Sequence, residues 1–208
     1  MSETIINQTP VIDWGVATLA LAGQSESGDL HLVKPLPHGV LVAVVDALGH
    51  GEEAAVAAKI AAATLDACAR ESVIALINDC HERLKNTHGV VMSLAWFNTR
   101  DNTVTWLGVG NVEGVLLHAS PSAASDHESV LLRGGVVGYR LPPLRAAVIP
   151  INRGDTLIFA TDGISSGFAE KLNLSEPPQK MAEQILARHG KENDDALVLV
   201  ARYMRGPA

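Results

Sequence analysis

Apolar residues in this chain come in short unbroken runs. Val40-Leu41-Val42-Ala43-Val44-Val45, Leu157-Ile158-Phe159-Ala160 and Ala196-Leu197-Val198-Leu199-Val200-Ala201 each fill the length of one strand and are bounded by turn residues. Such runs read as strands buried on both faces, as between two packed sheets flanked by helices. The pattern predicts strands at 11–22, 30–33, 39–46, 90–98, 103–109, 114–118, 129–132, 145–149, 156–160 and 196–203. Pro35 and Pro37 mark the turn between 30–33 and 39–46. Thr99-Arg100-Asp101-Asn102 and Asn152-Arg153-Gly154-Asp155 read as hairpin turns, which favour antiparallel pairing.

Between the strand blocks the period changes. Glu52, Lys59, Asp66 and Arg70 fall on one side of a helix, with Val56, Ile60, Leu65 and Cys68 among alanines on its other faces. Ser72 is placed to cap a second helix with the apolar stripe Val73, Leu76, Ile77, Cys80 and Leu84. Pro177 or Pro178 opens a late helix with Met181, Ile185 and Leu186 facing inward and Gly190 near its end. One helix pair between strand blocks and one helix near the end make an α+β chain.

Composition narrows this further. The chain has 208 residues, 47% of them hydrophobic, enough for one domain with a substantial core. It has no low-complexity linker and no internal repeat. Aromatic residues are only 4%, so aliphatic and alanine packing must fill the core. The net charge of −7 argues against a nucleic-acid or anionic-membrane surface, and no run reaches transmembrane length. Residues 1–10 lack a basic and an apolar targeting region, so a cytoplasmic setting is expected. Cys68 and Cys80 lie in helical patterns and read as free thiols packed as small hydrophobes.

The chemistry lies where the apolar runs stop. Asp46 and Asp162 end two of them, and Asp194-Asp195 opens the third. A carboxylate at the lip of a buried strand is costly unless positive charge meets it, so several of them suggest a shared cation. In Asp46-Ala47-Leu48-Gly49-His50-Gly51, glycines let the backbone turn and leave the Asp46 carboxylate and the Ala47 carbonyl facing out. Hard divalent cations prefer such oxygen ligands. A rival reading takes Gly49-His50-Gly51-Glu52-Glu53-Ala54 as the phosphate-binding turn of a dinucleotide fold. It needs a short helix followed by a strand, whereas two helical patterns follow here, and Glu52 and Glu53 would repel a pyrophosphate. Ser27-Gly28-Asp29 reads as a turn, and Gly108-Val109-Gly110-Asn111 as a tight hairpin or bulge.

Taken in order, Gly28-Asp29, Asp46 to Gly51, Gly108 to Asn111, Thr161-Asp162-Gly163 and Asp194-Asp195 resemble the metal-dependent type-2C serine/threonine protein phosphatases. The nearer likeness is to their bacterial SpoIIE-like branch, and Gly154 to Ala160 adds to it. The resemblance implies an αββα four-layer sandwich of two antiparallel sheets, with two divalent cations, Mn²⁺ or Mg²⁺, at one edge. Asp46 would bridge the cations, the Ala47 carbonyl would bind one, and Asp162 and Asp194 the other. Asp29 would hold water at the metals or a further cation. Asp195, Asn111 and Gly163 would orient the ligands or the turn. His50 is a candidate proton donor to the leaving alkoxide, against the plainer reading of a solvent-facing loop histidine. Two residues depart from the family pattern: Ala47 stands where glycine is usual, and Leu197 where threonine is usual. The arginine that eukaryotic members use to grip phosphate is also missing, since the first arginine is Arg70.

The resemblance further implies a phosphorylated STAS-domain protein as partner, a stressosome scaffold or antagonist, as for the compact RsbX-like members. The alternatives are an anti-anti-sigma substrate, as for RsbU-like members, or a pseudo-phosphatase that binds a phosphoprotein without turning it over.

Overall fold

The computed structural model describes residues 11–205 apart from 25, 71, 123, 124 and 131; residues 1–10, read above for targeting signals, lie outside the described residues. The strands are β1 Ile12–Leu19, β2 Asp29–Leu36, β3 Gly39–Ala47, β4 Val90–Asn98, β5 Thr103–Val109, β6 Glu113–Ser122, β7 Ser125–Glu128, β8 Ala147–Pro150, β9 Thr156–Ala160 and β10 Ala196–Tyr203. The helices are α1 Glu52–Ala67, α2 Val73–Leu84 and α3 Pro178–His189. One sheet has the order β1-β10-β9-β6-β7 and the other β2-β3-β4-β5-β8. Every named strand pairing is antiparallel.

The unbroken apolar runs follow from these layers. Along β3, Val40, Val42 and Val44 face the space between the sheets, while Leu41, Ala43 and Val45 face α1 and α2. Along β10, Leu197, Leu199, Ala201 and Tyr203 join the inter-sheet core, and Ala196, Val198 and Val200 face Met181, Ala182 and Ile185 of α3. Burial on both faces removes the polar alternation a half-exposed strand would show. Helices α1 and α2 therefore cover one sheet and α3 the other, giving α+β in four layers, αββα. Four of the aromatic residues sit between the sheets, where Trp106 meets Phe159 edge-on at 5.5 Å and Phe97 stacks on Tyr203 at 6.2 Å.

Four local expectations change. Strand β2 runs through Pro35 to Leu36 rather than stopping at 33, because it is an edge strand and has a side that needs no N–H. No strand forms at Ser129, Val130 or Leu132; β7 lies upstream, and Val130 packs on the inter-sheet core from a loop. The turn Asn152-Arg153-Gly154-Asp155 is not a hairpin. It carries the chain from β8 in one sheet to β9 in the other. The buried Asp155 carboxylate fixes that crossover by accepting the N–H groups of Asn152 and Ala119, each at 2.9 Å. On α1, Val56 is exposed and the buried face is Ala54, Ala55, Ala57, Ala58, Ala61, Thr64 and Leu65, so small side chains bring the helix close to the sheet. The Ser72 cap forms as expected, its hydroxyl accepting from the Ala75 amide at 3.3 Å. Among the described residues no helix is long and apolar enough to cross a membrane.

Candidate metal centre

The acidic residues gather at one edge of the paired sheets because their strands end there. Asp29 opens β2 directly across from Asp46 near the end of β3. Asp162 follows the end of β9, and Asp194 and Asp195 precede β10, the neighbour of β9. A cleft of about 400 Å³ is lined by Asp46, Ala47, Leu48, His50, Asn111, Asp162 and Asp194, among others. Asp29 is buried, Asp46 and Asp194 are half-buried, and Asp162 is exposed, so the carboxylates descend from rim to floor.

Hydrogen bonds set their places. Thr161 Oγ1 donates to Asp29 Oδ2 at 2.7 Å and accepts the Leu197 amide at 2.9 Å, tying the floor of the cleft to β10. From the β5–β6 turn, Asn111 Nδ2 donates to Asp162 Oδ2 at 2.8 Å, just past the end of β9. Asp195 accepts the Leu21 and Gly28 amides at 2.8 and 2.7 Å, holding the loop that leads into Asp29. Gly163 is required by close approach, since a Cβ there would lie 1.9 Å from the Asp195 carbonyl oxygen. His50 is exposed between Gly49 and Gly51, whose φ angles of 90° and 80° turn the chain sharply into α1.

Both departures from the family pattern now have a structural setting. Ala47 is not among the residues with positive φ, so its Cβ is accommodated, and the residue lines the cleft. Leu197 is wholly buried in the inter-sheet core, and the Thr161 hydroxyl serves its amide. The dinucleotide reading of Gly49 to Ala54 fails, because α1 leads into α2 and the sheets are antiparallel, leaving no parallel βαβ unit. Two contributions were not foreseen in the sequence: the clasp that Thr161, quoted only as part of Thr161-Asp162-Gly163, makes on Asp29, and Lys191, whose Nζ donates to the Asp162 carbonyl at 2.5 Å. The segment after Gly163 packs rather than reaching outward: Phe168 is buried under α3, and Leu172 packs against the same cluster.

The electrostatics show charge in need of a partner. Burial, then repulsion from Asp29, Asp162, Asp194 and Asp195, pushes the Asp46 carboxyl up to about 8. Burial raises Asp29 to about 7 against the Thr161 hydrogen bond, with Asp195, Asp162 and Asp194 adding to the rise. Asp194 is raised by burial and then by Asp162. Among the described residues no three His, Cys, Asp or Glu side chains stand as a ready metal cage, so the carboxylates line the cleft without closing round a point. The donors fit a hard divalent cation nonetheless. They are carboxylate and carbonyl oxygens, and cationic charge is what relieves their mutual repulsion.

The family model of stage II sporulation protein E (SpoIIE) matches residues 37–204. The chain belongs to the SpoIIE family. It is 27% identical over 143 residues to the phosphoserine phosphatase RsbX of Bacillus subtilis, covering 69% of this chain and 70% of that one. A chain solved for the bacterial stressosome, a modular system adapted to control secondary messenger signalling, superposes with a TM-score of 0.82 at 29% identity, over 92% of this chain and 99% of that one. RsbX in complex with magnesium superposes with a TM-score of 0.82 at 21% identity, over 94% and 97%. This likeness extends to the layered sheets and helices described above, the type-2C phosphatase fold.

Proposed function

We propose that this chain, acting as one phosphatase domain in the cytoplasm, removes phosphate from serine or threonine of a phosphorylated STAS-domain protein in a stressosome. At the level of class it is a type-2C serine/threonine protein phosphatase of RsbX and SpoIIE kind. One observation carries the site assignment: five carboxylates from four separate stretches of chain act on one another's charge at one edge of the sheets, three of them lining a single cleft. The likeness to RsbX and to a stressosome chain supports the substrate.

Asp46, the Ala47 carbonyl, Asp162 and Asp194 are assigned to hold two divalent cations, Mn²⁺ or Mg²⁺. When bound, the cations supply Lewis-acid activation of water and offset charge on the phosphoryl oxygens. Asn111 fixes the Asp162 carboxylate through its 2.8 Å hydrogen bond. Asp29, clasped by Thr161 at the floor of the cleft, is assigned to hold water at the metals or a further cation. Asp195 and Gly163 hold the two turns in register. His50, exposed at the cleft mouth, is assigned as proton donor to the leaving alkoxide.

The test is mass spectrometry of a phosphorylated stressosome STAS-domain protein after incubation with the purified chain in Mn²⁺ or in chelator. Loss of phosphate only with Mn²⁺ is expected. Phosphate retained there but lost from a phosphorylated anti-anti-sigma factor would move the substrate to the RsbU type. Retention on every phosphoprotein, with binding intact, would make the chain a pseudo-phosphatase.

A further inference from the structure

We propose that Lys191 is a phosphate-binding residue, its ammonium taking an oxygen of the substrate phosphoryl group at the rim of the carboxylate cleft. This rests on the phosphatase reading and supplies the side-chain cation that reading lacks. The chain has no arginine before Arg70. Arg70 is bound to Asp79, Lys34 to Asp66 and Lys59 to Glu26, on and around the α1–α2 face.

Lys191 is held in place by its backbone. Its amide donates to the Gly163 carbonyl at 2.8 Å, and Gly190 forms a bridge with Ile164. The residue is thereby stitched to the turn that carries Asp162. Its side chain folds over that turn, where Nζ meets the Asp162 carbonyl at 2.5 Å. An ammonium has three donors and no acceptor, so this bond leaves donors to spare.

The spare donors sit in a polar cavity. Among the described residues, Lys191, Thr161, Asp162, Ser165, Asn111 and Glu113 line a space of about 330 Å³, in which Lys191 is the one cation and faces the carboxylates of Asp162 and Glu113. It shares Asn111 and Asp162 with the cleft, so the two spaces adjoin at one assigned cation ligand and the amide that fixes it. A phosphoserine carries about −1.5 to −2 charge near neutral pH, shared by three oxygens that take charge-assisted hydrogen bonds from ammonium groups. The Asp162 carbonyl is the neutral acceptor that Lys191 keeps until a charged one arrives.

The experiment compares wild type, Lys191→Gln and Lys191→Arg for binding of inorganic phosphate at saturating Mn²⁺, for Mn²⁺ affinity, and for KM and kcat on a phosphoserine protein. Lys191 is exposed and makes one side-chain hydrogen bond to backbone, so both variants should fold. Losing one charge-assisted bond should weaken phosphate binding about tenfold in Lys191→Gln and raise KM more than it lowers kcat. Lys191→Arg should recover most of the loss. Equal phosphate binding by wild type and Lys191→Gln overturns the role, and so does a variant changed only in Mn²⁺ affinity, which would mark Lys191 as a counter-charge to the ligands. A wild type that binds Mn²⁺ but no phosphate overturns the phosphatase reading as well.

Discussion

Replacing Asp46 by asparagine should stabilise the metal-free protein while abolishing its activity. In the folded chain the Asp46 carboxyl is pushed from 3.8 up to about 8, first by burial and then by Asp29 and the other cleft carboxylates. At pH 7 the folded protein therefore retains a proton that the unfolded chain has released. Each unit of difference is worth about 1.4 kcal/mol, and about three units lie between the unfolded value and pH 7. The destabilisation from this carboxyl is then about 4 kcal/mol. A raised carboxyl costs nothing below about pH 4 and progressively more as pH rises toward 8, so the variant's advantage should grow across that window. For a domain of this size about 4 kcal/mol corresponds to a Tm roughly 10 °C higher in EDTA. In Mn²⁺ the order should close or reverse. Wild type gains about 2.7 kcal/mol for each site at a hundred times Kd, whereas the variant has lost the carboxylate assigned to both cations. Thermal unfolding of the two proteins in EDTA and in Mn²⁺, at pH 5 and pH 7, reads all of this. If Asp46→Asn is less stable than wild type in EDTA at pH 7, or if Mn²⁺ raises both Tm values equally, the reasoning is refuted.

Gly163→Ala places a Cβ 1.9 Å from the Asp195 carbonyl oxygen, so the Asp162 turn or the start of β10 must move by about 1 Å. Overpacking of this kind costs about 1–3 kcal/mol, but a shift of that size in a ligand costs on the order of a hundredfold in rate; denaturant unfolding beside kcat should show activity falling far more than stability. Away from the cleft, His118 lies 3.1 Å from Asp155 and 3.3 Å from Glu128. Burial opposes its charging, but Asp155 and then Glu128 outweigh that and leave it raised. Its stabilisation is fully present below pH 6.5 and is lost as pH rises through the folded value, so Tm should fall over that range in wild type and not in His118→Gln.

The strands that sequence alone placed to the residue are those whose neighbours bury both faces: β4, β5, β9 and β10 have the expected limits. In β4, β9 and β10 apolar residues run on with little interruption because both faces are covered, and in β5 the threonines at 103 and 105 alternate with buried Val104 and Trp106; both patterns are visible without knowing the partner. The errors arose where partners decide. Pro35 continues a strand only because β2 is at an edge, and Asn152 to Asp155 has a hairpin's composition but joins two sheets through a buried carboxylate. For the cleft, Asp46, Asp162 and Asp194 stood out because each sits at the end of a buried apolar run and the three occur together in order, and the structure brings them to one cleft. The roles of Thr161 and Lys191 did not, because a threonine clasp and a lysine folded over a turn depend on how β9 and the chain before β10 are stitched together.

Anomalous diffraction from crystals grown with Mn²⁺ asks most directly whether the carboxylates share divalent cations. Two manganese peaks should appear in the cleft, one against Asp46 and the Ala47 carbonyl and one joining Asp46 to Asp162 and Asp194. Manganese absent from the cleft at saturating concentration, or bound only to surface carboxylates elsewhere, would leave the proposed phosphatase chemistry without its centre.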